Sequence, residues 1–144
     1  IRAAVNAIPK AVSEEAYFGS VYRELKDPAE VIDLSNVKIV LGKENQCLYQ
    51  SRNPIPSTKG SLEFKYKKAI GIECFNKKAL DFFVNTPMGV LEKIEDIDHL
   101  RFLENNVPIY YTKIDSESLS VDTKNDLERV TKIIQSRMEN RTEK

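Results

Sequence analysis

Short apolar runs alternate with helical patterns along most of this chain, and that alternation restricts its fold more than any other feature. "KAIGIECF" (68–75) reads as a continuous strand, apolar but for Lys68 and Glu73. A short helix follows from Asn76 through Ala79, Leu80, Phe82 and Phe83, until Thr86-Pro87 and Gly89 break it. Leu91, Ile94, Ile97, Leu100 and Leu103 then recur every third residue, which a helix over about 91–104 tolerates with a drifting stripe. After Asn105-Asn106, "VPIYYTK" (107–113) reads as a strand, and "SVDTKNDLERV" (120–130) reads as a strand end running into a helix with Leu127, Val130, Ile134 and Met138 on one face. Upstream, "NVKIVL" (36–41) and "QCLYQS" (46–51) predict an antiparallel hairpin closed by "GKEN". The sum is an α/β sheet with one hairpin added. Residues 14–25, with Ser13 ahead of Glu14 and Glu15 and then Tyr17, Phe18, Val21, Tyr22 and Leu25 at helical spacing, predict an amphipathic helix that stops at Asp27-Pro28.

With 144 residues the chain is one domain's worth, long enough for a single core. Its 22 basic and 22 acidic residues cancel, so the electrostatic footprint of a nucleic-acid binder is missing. Cys47 and Cys74 lie far apart without metal-ligand spacing, which predicts two buried, reduced thiols and a cytoplasmic protein. No apolar run approaches the ~18–20 residues that span a bilayer. The opening "IRAAVNAIPK" carries neither an initiator Met nor a signal peptide and reads as though cut from something longer.

Few residues stand out as carriers of chemistry. Asp122 sits at a strand end one residue before Thr123, which with Asp126 resembles a capping box. Its carboxylate either accepts backbone N–H groups at the positive end of a helix or serves as a hard oxygen ligand for Mg²⁺ at the carboxyl end of a strand. Glu92, Glu95 and Asp98, with His99 and Arg101 beside them, read as a solvated helix face laced by pairs such as Asp98 with Arg101 and Glu95 with His99. His99, the only histidine, is alternatively a donor to a polar ligand. Arg52 directly follows a strand and opens the proline-bounded loop "RNPIPSTKGS" (52–61), where its guanidinium either faces solvent or meets a carboxylate or phosphate in bidentate fashion. No glycine-rich phosphate cradle and no nucleophile elbow is present.

The order of segments adds to this. "VKIVL…LYQSRNPIPS", "AIGIECF", "LEKIEDIDHLRFLENN" and "VDTKNDLERV" together resemble the C-terminal half of the 3-deoxy-manno-octulosonate cytidylyltransferase (CMP-Kdo synthetase) family, from about Asp27 to Val130. The resemblance implies part of a nucleotidyltransferase-like, three-layer α/β/α fold with a mixed sheet. It also implies transfer of CMP from CTP to a 2-keto-3-deoxy acid sugar with Mg²⁺, in lipopolysaccharide or another surface-glycan pathway, and a homodimer without nucleic-acid or membrane partners. The family's VDT aspartate falls on Asp122 as a magnesium ligand. Ser51 and Arg52 match a segment bordering the sugar, and Arg52 is the candidate catalytic residue. Asp98 and His99 stand where the family has Glu-Gln against the sugar hydroxyls, while Ala69, Glu73 and Phe75 replace a His and two Tyr. Ser51, Arg52, Glu73, Asp98 and His99 are therefore the candidate substrate-binding residues, and their departures point to a changed acceptor. The family's CTP-binding N-terminal half has no counterpart in these residues, so the chain by itself would hold part of an active site. A non-catalytic module of the same fold, or a cytidylyltransferase for another ulosonic acid or a phosphonate, are the alternatives.

Overall fold

The computed structural model describes residues 2–6, 15–61, 63–115, 121 and 124–142. A five-stranded mixed sheet runs in the order β3-β2-β4-β1-β5, built from β1 (Phe18–Glu24), β2 (Lys38–Leu41), β3 (Cys47–Ser51), β4 (Lys67–Phe75) and β5 (Ile109–Lys113). Strand β1 is antiparallel to β4 and parallel to β5, and the β2–β3 hairpin lies on the other side of β4. Helix α1 (Arg2–Asn6) puts Ala4 against Val21 and Ile70 on one face of the sheet. On the opposite face, Phe18, Tyr22, Ile39, Cys47, Ile109 and Tyr111 form the main core with Ala79 of α3 (Lys77–Asn85) and Phe102 of α5 (Leu100–Glu104). Helices on both faces of a mixed sheet are the three-layer arrangement expected from the sequence.

Residues 14–25 are the clearest correction. Phe18–Glu24 is not part of a helix but a central strand, and Phe18 through Tyr22 are all buried. A strand covered on both faces has no polar side, so helical spacing of its apolar residues carries no information, whereas Phe, Tyr and Val favour the pleated, packed environment. Asp27-Pro28 also differs. It begins α2 (Pro28–Ile32), with Asp27 accepting a hydrogen bond from the Ala29 N–H at 2.9 Å and proline at the first helical position.

The hairpin, the 68–75 strand, the 107–113 strand and the helix after Asn76 form as expected. Asn76 caps α3, its side chain accepting from the Ala79 N–H at 2.8 Å. A helix, α6 (Lys124–Thr142), covers the C-terminal apolar stripe, while Ser120, Asp122 and Thr123 lie outside the described residues and Val121 between them is exposed and not in a strand.

The expected helix over 91–104 is two helices, α4 (Val90–Glu95) and α5, separated by Asp96 in the left-handed conformation (φ 53°). Tertiary bonds compensate for the break. The Glu104 carboxylate folds back to accept from the N–H groups of Val90 at 3.0 Å and Leu91 at 3.1 Å, capping the start of α4. In one continuous helix, residues fourteen apart would stand about 21 Å from each other. Gly89 leaves room for this cap, since a Cβ there would fall 1.9 Å from Glu104 Oε2. Cys47 is buried and Cys74 partly so, and neither is in a disulfide.

Candidate functional site

Three segments are linked by hydrogen bonds: the end of β3 with Gln50, Ser51 and Arg52, the later part of β4 with Glu73, and the α4–α5 junction with Glu95, Asp96, Asp98 and His99. Two irregularities in the strands aim these side chains. In β4, Ser20 of β1 pairs with Glu73 while the next residue, Val21, pairs with Ile70, so Gly71 and Ile72 form an insertion. The buried Ser20 hydroxyl lies 3.3 Å from the Ile70 carbonyl oxygen and 3.1 Å from that of Ile72, tying the bulge down. In β3, Leu41 pairs with Cys47 and Val40 with Tyr49, leaving Leu48 as the extra residue. Leu48 is accordingly exposed, while Cys47 and Gln50 both turn inward. Such bulges re-aim side chains beside functional sites.

The bulges bring together a hydrogen-bonded chain. The Tyr111 hydroxyl, fully buried, lies 3.0 Å from Gln50 Nε2. Gln50 Oε1 lies 3.3 Å from His99 Nδ1, and His99 Nε2 lies 2.7 Å from Glu73 Oε1. The imidazole packs edge-on to the Phe18 ring, with centroids 4.5 Å apart. Asp98 Oδ1 is 3.7 Å from His99 Nε2, and its side chain is mostly exposed. Burial holds the Tyr111 phenol well above its ordinary pKa, so it stays protonated, and burial likewise pushes the Cys47 thiol up to about 12. His99 therefore meets Glu73 rather than Glu95, correcting the expected helix-face pair.

Arg52 is held by carbonyl oxygens. Its Nε donates to Glu95 O at 2.7 Å, Nη2 to Asp96 O at 2.7 Å and Nη1 to Leu34 O at 3.1 Å, with Asp96 Oδ2 3.2 Å from Nη2. Its backbone N–H donates to Glu95 Oε2 at 2.9 Å, and the Tyr49 hydroxyl donates to Glu95 Oε1 at 3.4 Å. These bonds cap the C-terminus of α4 and join it to the turn at Asp33 and Leu34. An anionic ligand clamped by Arg52 would compete for the same donors. Buried Lys38 braces that turn too, donating to Asp33 O at 2.8 Å, and burial lowers its pKa while nearby Asp33 opposes the shift. Ser51 is buried, and its Oγ accepts from the Asn53 N–H at 3.0 Å.

The charged row on 92–98 is not a uniformly solvated face. Glu92 is buried against Arg101, whose Nε and Nη2 reach its two oxygens at 2.7 and 2.6 Å, so Arg101 pairs with Glu92 instead of Asp98. Arg101 also donates to Phe83 O at 2.9 Å and Thr86 O at 3.2 Å and lies over the Phe83 ring. Of the sequence-predicted site residues, Glu73, Asp98 and His99 gather in one place, with Ser51 and Arg52 one strand end away. Gln50 and Tyr111 were not singled out from sequence. The only signal was polar Gln50 within a strand, and the bulge at Leu48 hides its inward direction.

The same architecture recurs in known proteins. A cytidylyltransferase family model matches residues 1–114. The chain belongs to the cytidylyltransferase family. It is 33% identical over 137 residues to a 3-deoxy-manno-octulosonate cytidylyltransferase of Solibacter usitatus, covering 93% of this chain and 54% of that protein. It is 37% identical over 123 residues to the enzyme of that name from Christiangramia forsetii, covering 85% and 50%. A solved CMP:2-keto-3-deoxy-manno-octonic acid synthetase complexed with CTP shares the fold with a TM-score of 0.79 at 22% identity, over 93% of this chain and 54% of the other. The chain thus spans about half the length of the cytidylyltransferases it matches, as the order of its motifs implies. Among the described residues, no group of three or more His, Cys, Asp or Glu is placed to hold a metal, and no helix is long and apolar enough to cross a membrane. Asp122, the expected magnesium ligand, is outside the described residues.

Proposed function

We propose that the protein transfers CMP from CTP to an acid sugar of the 2-keto-3-deoxy class, and that this chain supplies the acceptor-facing part of the site. The family match over residues 1–114 carries the reading. In the reaction a sugar hydroxyl oxygen bonds to the α-phosphorus of CTP, the bond from that phosphorus to the oxygen leading to the β-phosphorus breaks, and pyrophosphate departs with the electron pair while the hydroxyl proton is lost. The protein's task is to position two anions and offset their charge. Mg²⁺, held by Asp122 and the substrate phosphates, would neutralise the phosphates.

The described residues suit the acceptor. Glu73, with one oxygen bound to His99, offers the other to a hydroxyl or amino donor, and exposed Asp98 stands beside it. Arg52 acts by fixing the α4–α5 junction that carries both Asp98 and His99. The contact between Glu73 and His99, two residues that depart together from the usual family segments, favours an acceptor other than plain 3-deoxy-manno-octulosonate. Pyrophosphate release with CTP, Mg²⁺ and a panel of 3-deoxy-ulosonic acids tests both levels. Turnover of a hydroxyl- or amino-modified acid, diminished about tenfold or more by Glu73→Gln, is the expected result. No release with any acid defeats the activity. Efficient use of the plain acid, undiminished by Glu73→Tyr, defeats the altered specificity while keeping the activity.

We place the protein in a compartment that keeps thiols reduced, the cytoplasm, and propose that it acts as a homodimer. Leu48, exposed on edge strand β3, and Leu34, exposed beside Arg52, are apolar surface near the "LYQSRNPIP" segment. Sedimentation at tens of micromolar is expected to give a dimer that Leu48→Glu weakens, and a monomer at that concentration would remove the proposal.

A further inference from the structure

We infer that Gln50 and Tyr111 are positioning residues for the acceptor. They form a buried strut that orients His99, which in turn holds the Glu73 carboxylate with one oxygen turned outward. The inference rests on the acceptor reading of Glu73, but its observations are separate. Tyr111 and Gln50 are fully buried polar side chains on β5 and β3, strands at opposite edges of the sheet, and they meet at 3.0 Å. A buried amide and phenol cost free energy unless each finds a partner, and a polar network of this kind is tolerated when its members satisfy one another. The partners run outward in one line, from Tyr111 to Gln50 to His99 to Glu73.

The line has a direction of increasing exposure. Tyr111 and Gln50 are sealed, the His99 side chain is 13% exposed and the Glu73 side chain 31%. Only the last group meets solvent appreciably, and only Oε1 of its two oxygens is bonded to His99. The β3 bulge turns Gln50 inward and the β4 bulge sets Glu73 opposite Ser20, so two departures from regular pairing serve one chain of contacts. Phe18 supports the ring edge-on, which leaves its tilt to the two hydrogen bonds. The Gln50 amide can satisfy the chain in either orientation. In both, Nε2 of the ring donates to the Glu73 carboxylate; with Gln50 Oε1 toward the ring Nδ1 donates as well, and with Gln50 Nε2 toward it Nδ1 accepts. Gln50 thus dictates whether Nδ1 donates or accepts.

Because His99 is the only histidine in the chain, its ring can be observed directly. Long-range ¹H–¹⁵N spectra of the protein are expected to show one dominant ring state. Gln50→Leu, which keeps volume and removes the amide, and Tyr111→Phe, which removes one oxygen, are each expected to change the ring nitrogen shifts while the backbone amide spectrum stays folded. Titration with 3-deoxy-manno-octulosonate and its amino-substituted analogues follows the same signals. Binding is expected to perturb the wild-type ring and to weaken about tenfold in Gln50→Leu, the worth of one or two misdirected hydrogen bonds. Ring signals identical in wild type and both variants overturn the strut, whatever the sugars do. A ring that responds to both substitutions, yet ignores every sugar in the wild type, overturns instead the acceptor reading and with it the role given to Glu73.

Discussion

Arg101→Ala is expected to cost about 3 kcal/mol or more of folding stability, seen as a lowered urea midpoint at unchanged slope. Arg101 and Glu92 form a bidentate pair with side chains only 13% and 5% exposed. Removing the cation strands a buried carboxylate, and the same change frees the Phe83 and Thr86 carbonyl oxygens and strips a guanidinium from the Phe83 ring. Arg101→Lys should recover little, since an ammonium lacks the planar fork. The Arg101→Met, Glu92→Met pair should recover much of the loss, because apolar replacement of both partners leaves no buried charge. The pH dependence follows from Glu92, whose carboxyl is held below its ordinary 4.5, chiefly by the Arg101 hydrogen bonds. The contribution is complete above that pH and disappears as pH falls through the lower folded value. Glu92→Gln should flatten this acid limb. A loss under about 1 kcal/mol in Arg101→Ala would show that the pair is surface-like in solution.

That pair marks a limit of reading structure from spacing. Charged residues at i and i+3 on a helix ordinarily face water, and Glu92, Glu95 and Asp98 fit that rule as a row. The helix they share does not persist: Asp96 turns left-handed, Arg52 takes the carbonyl oxygens of Glu95 and Asp96, and Glu104 returns to cap α4. Those partners come from 43 and 14 residues away along the chain, so no local pattern contains them. The elements that were legible, β4, the β2–β3 hairpin, β5 and α3, each carry their own boundary signal, a turn sequence or a cap such as Asn76. Strand β1 was not, because burial on both faces erases the alternation that tells a strand from a helix. At the site, the motif order identified Glu73, Asp98 and His99 as neighbours. Gln50 and Tyr111 escaped because two bulges shift which side chains face inward, and a bulge has no reliable signature in a single sequence.

Asp122→Asn is expected to reduce CMP transfer by about 10²–10³-fold while leaving the folding free energy within a few tenths of a kcal/mol. The substitution separates the two roles open to this residue. Helix α6 begins at Lys124, two residues beyond Asp122, so a carboxylate there can serve simply as a cap and a charge near the helix start. Asparagine is nearly isosteric and caps helices as well as aspartate does, and it loses only the modest interaction of a charge with the helix dipole. As a ligand for a hard dication it is much poorer, since Mg²⁺ relies on one or two carboxylates to complement the substrate phosphates. A cap predicts small losses in both stability and activity; a ligand predicts intact stability, a large loss of turnover and partial recovery at raised Mg²⁺. Measuring the Mg²⁺ concentration for half-maximal pyrophosphate release alongside the urea midpoint gives both numbers from one preparation. Wild-type turnover in Asp122→Asn at low Mg²⁺ would return the residue to the helix cap and leave the metal to be held elsewhere.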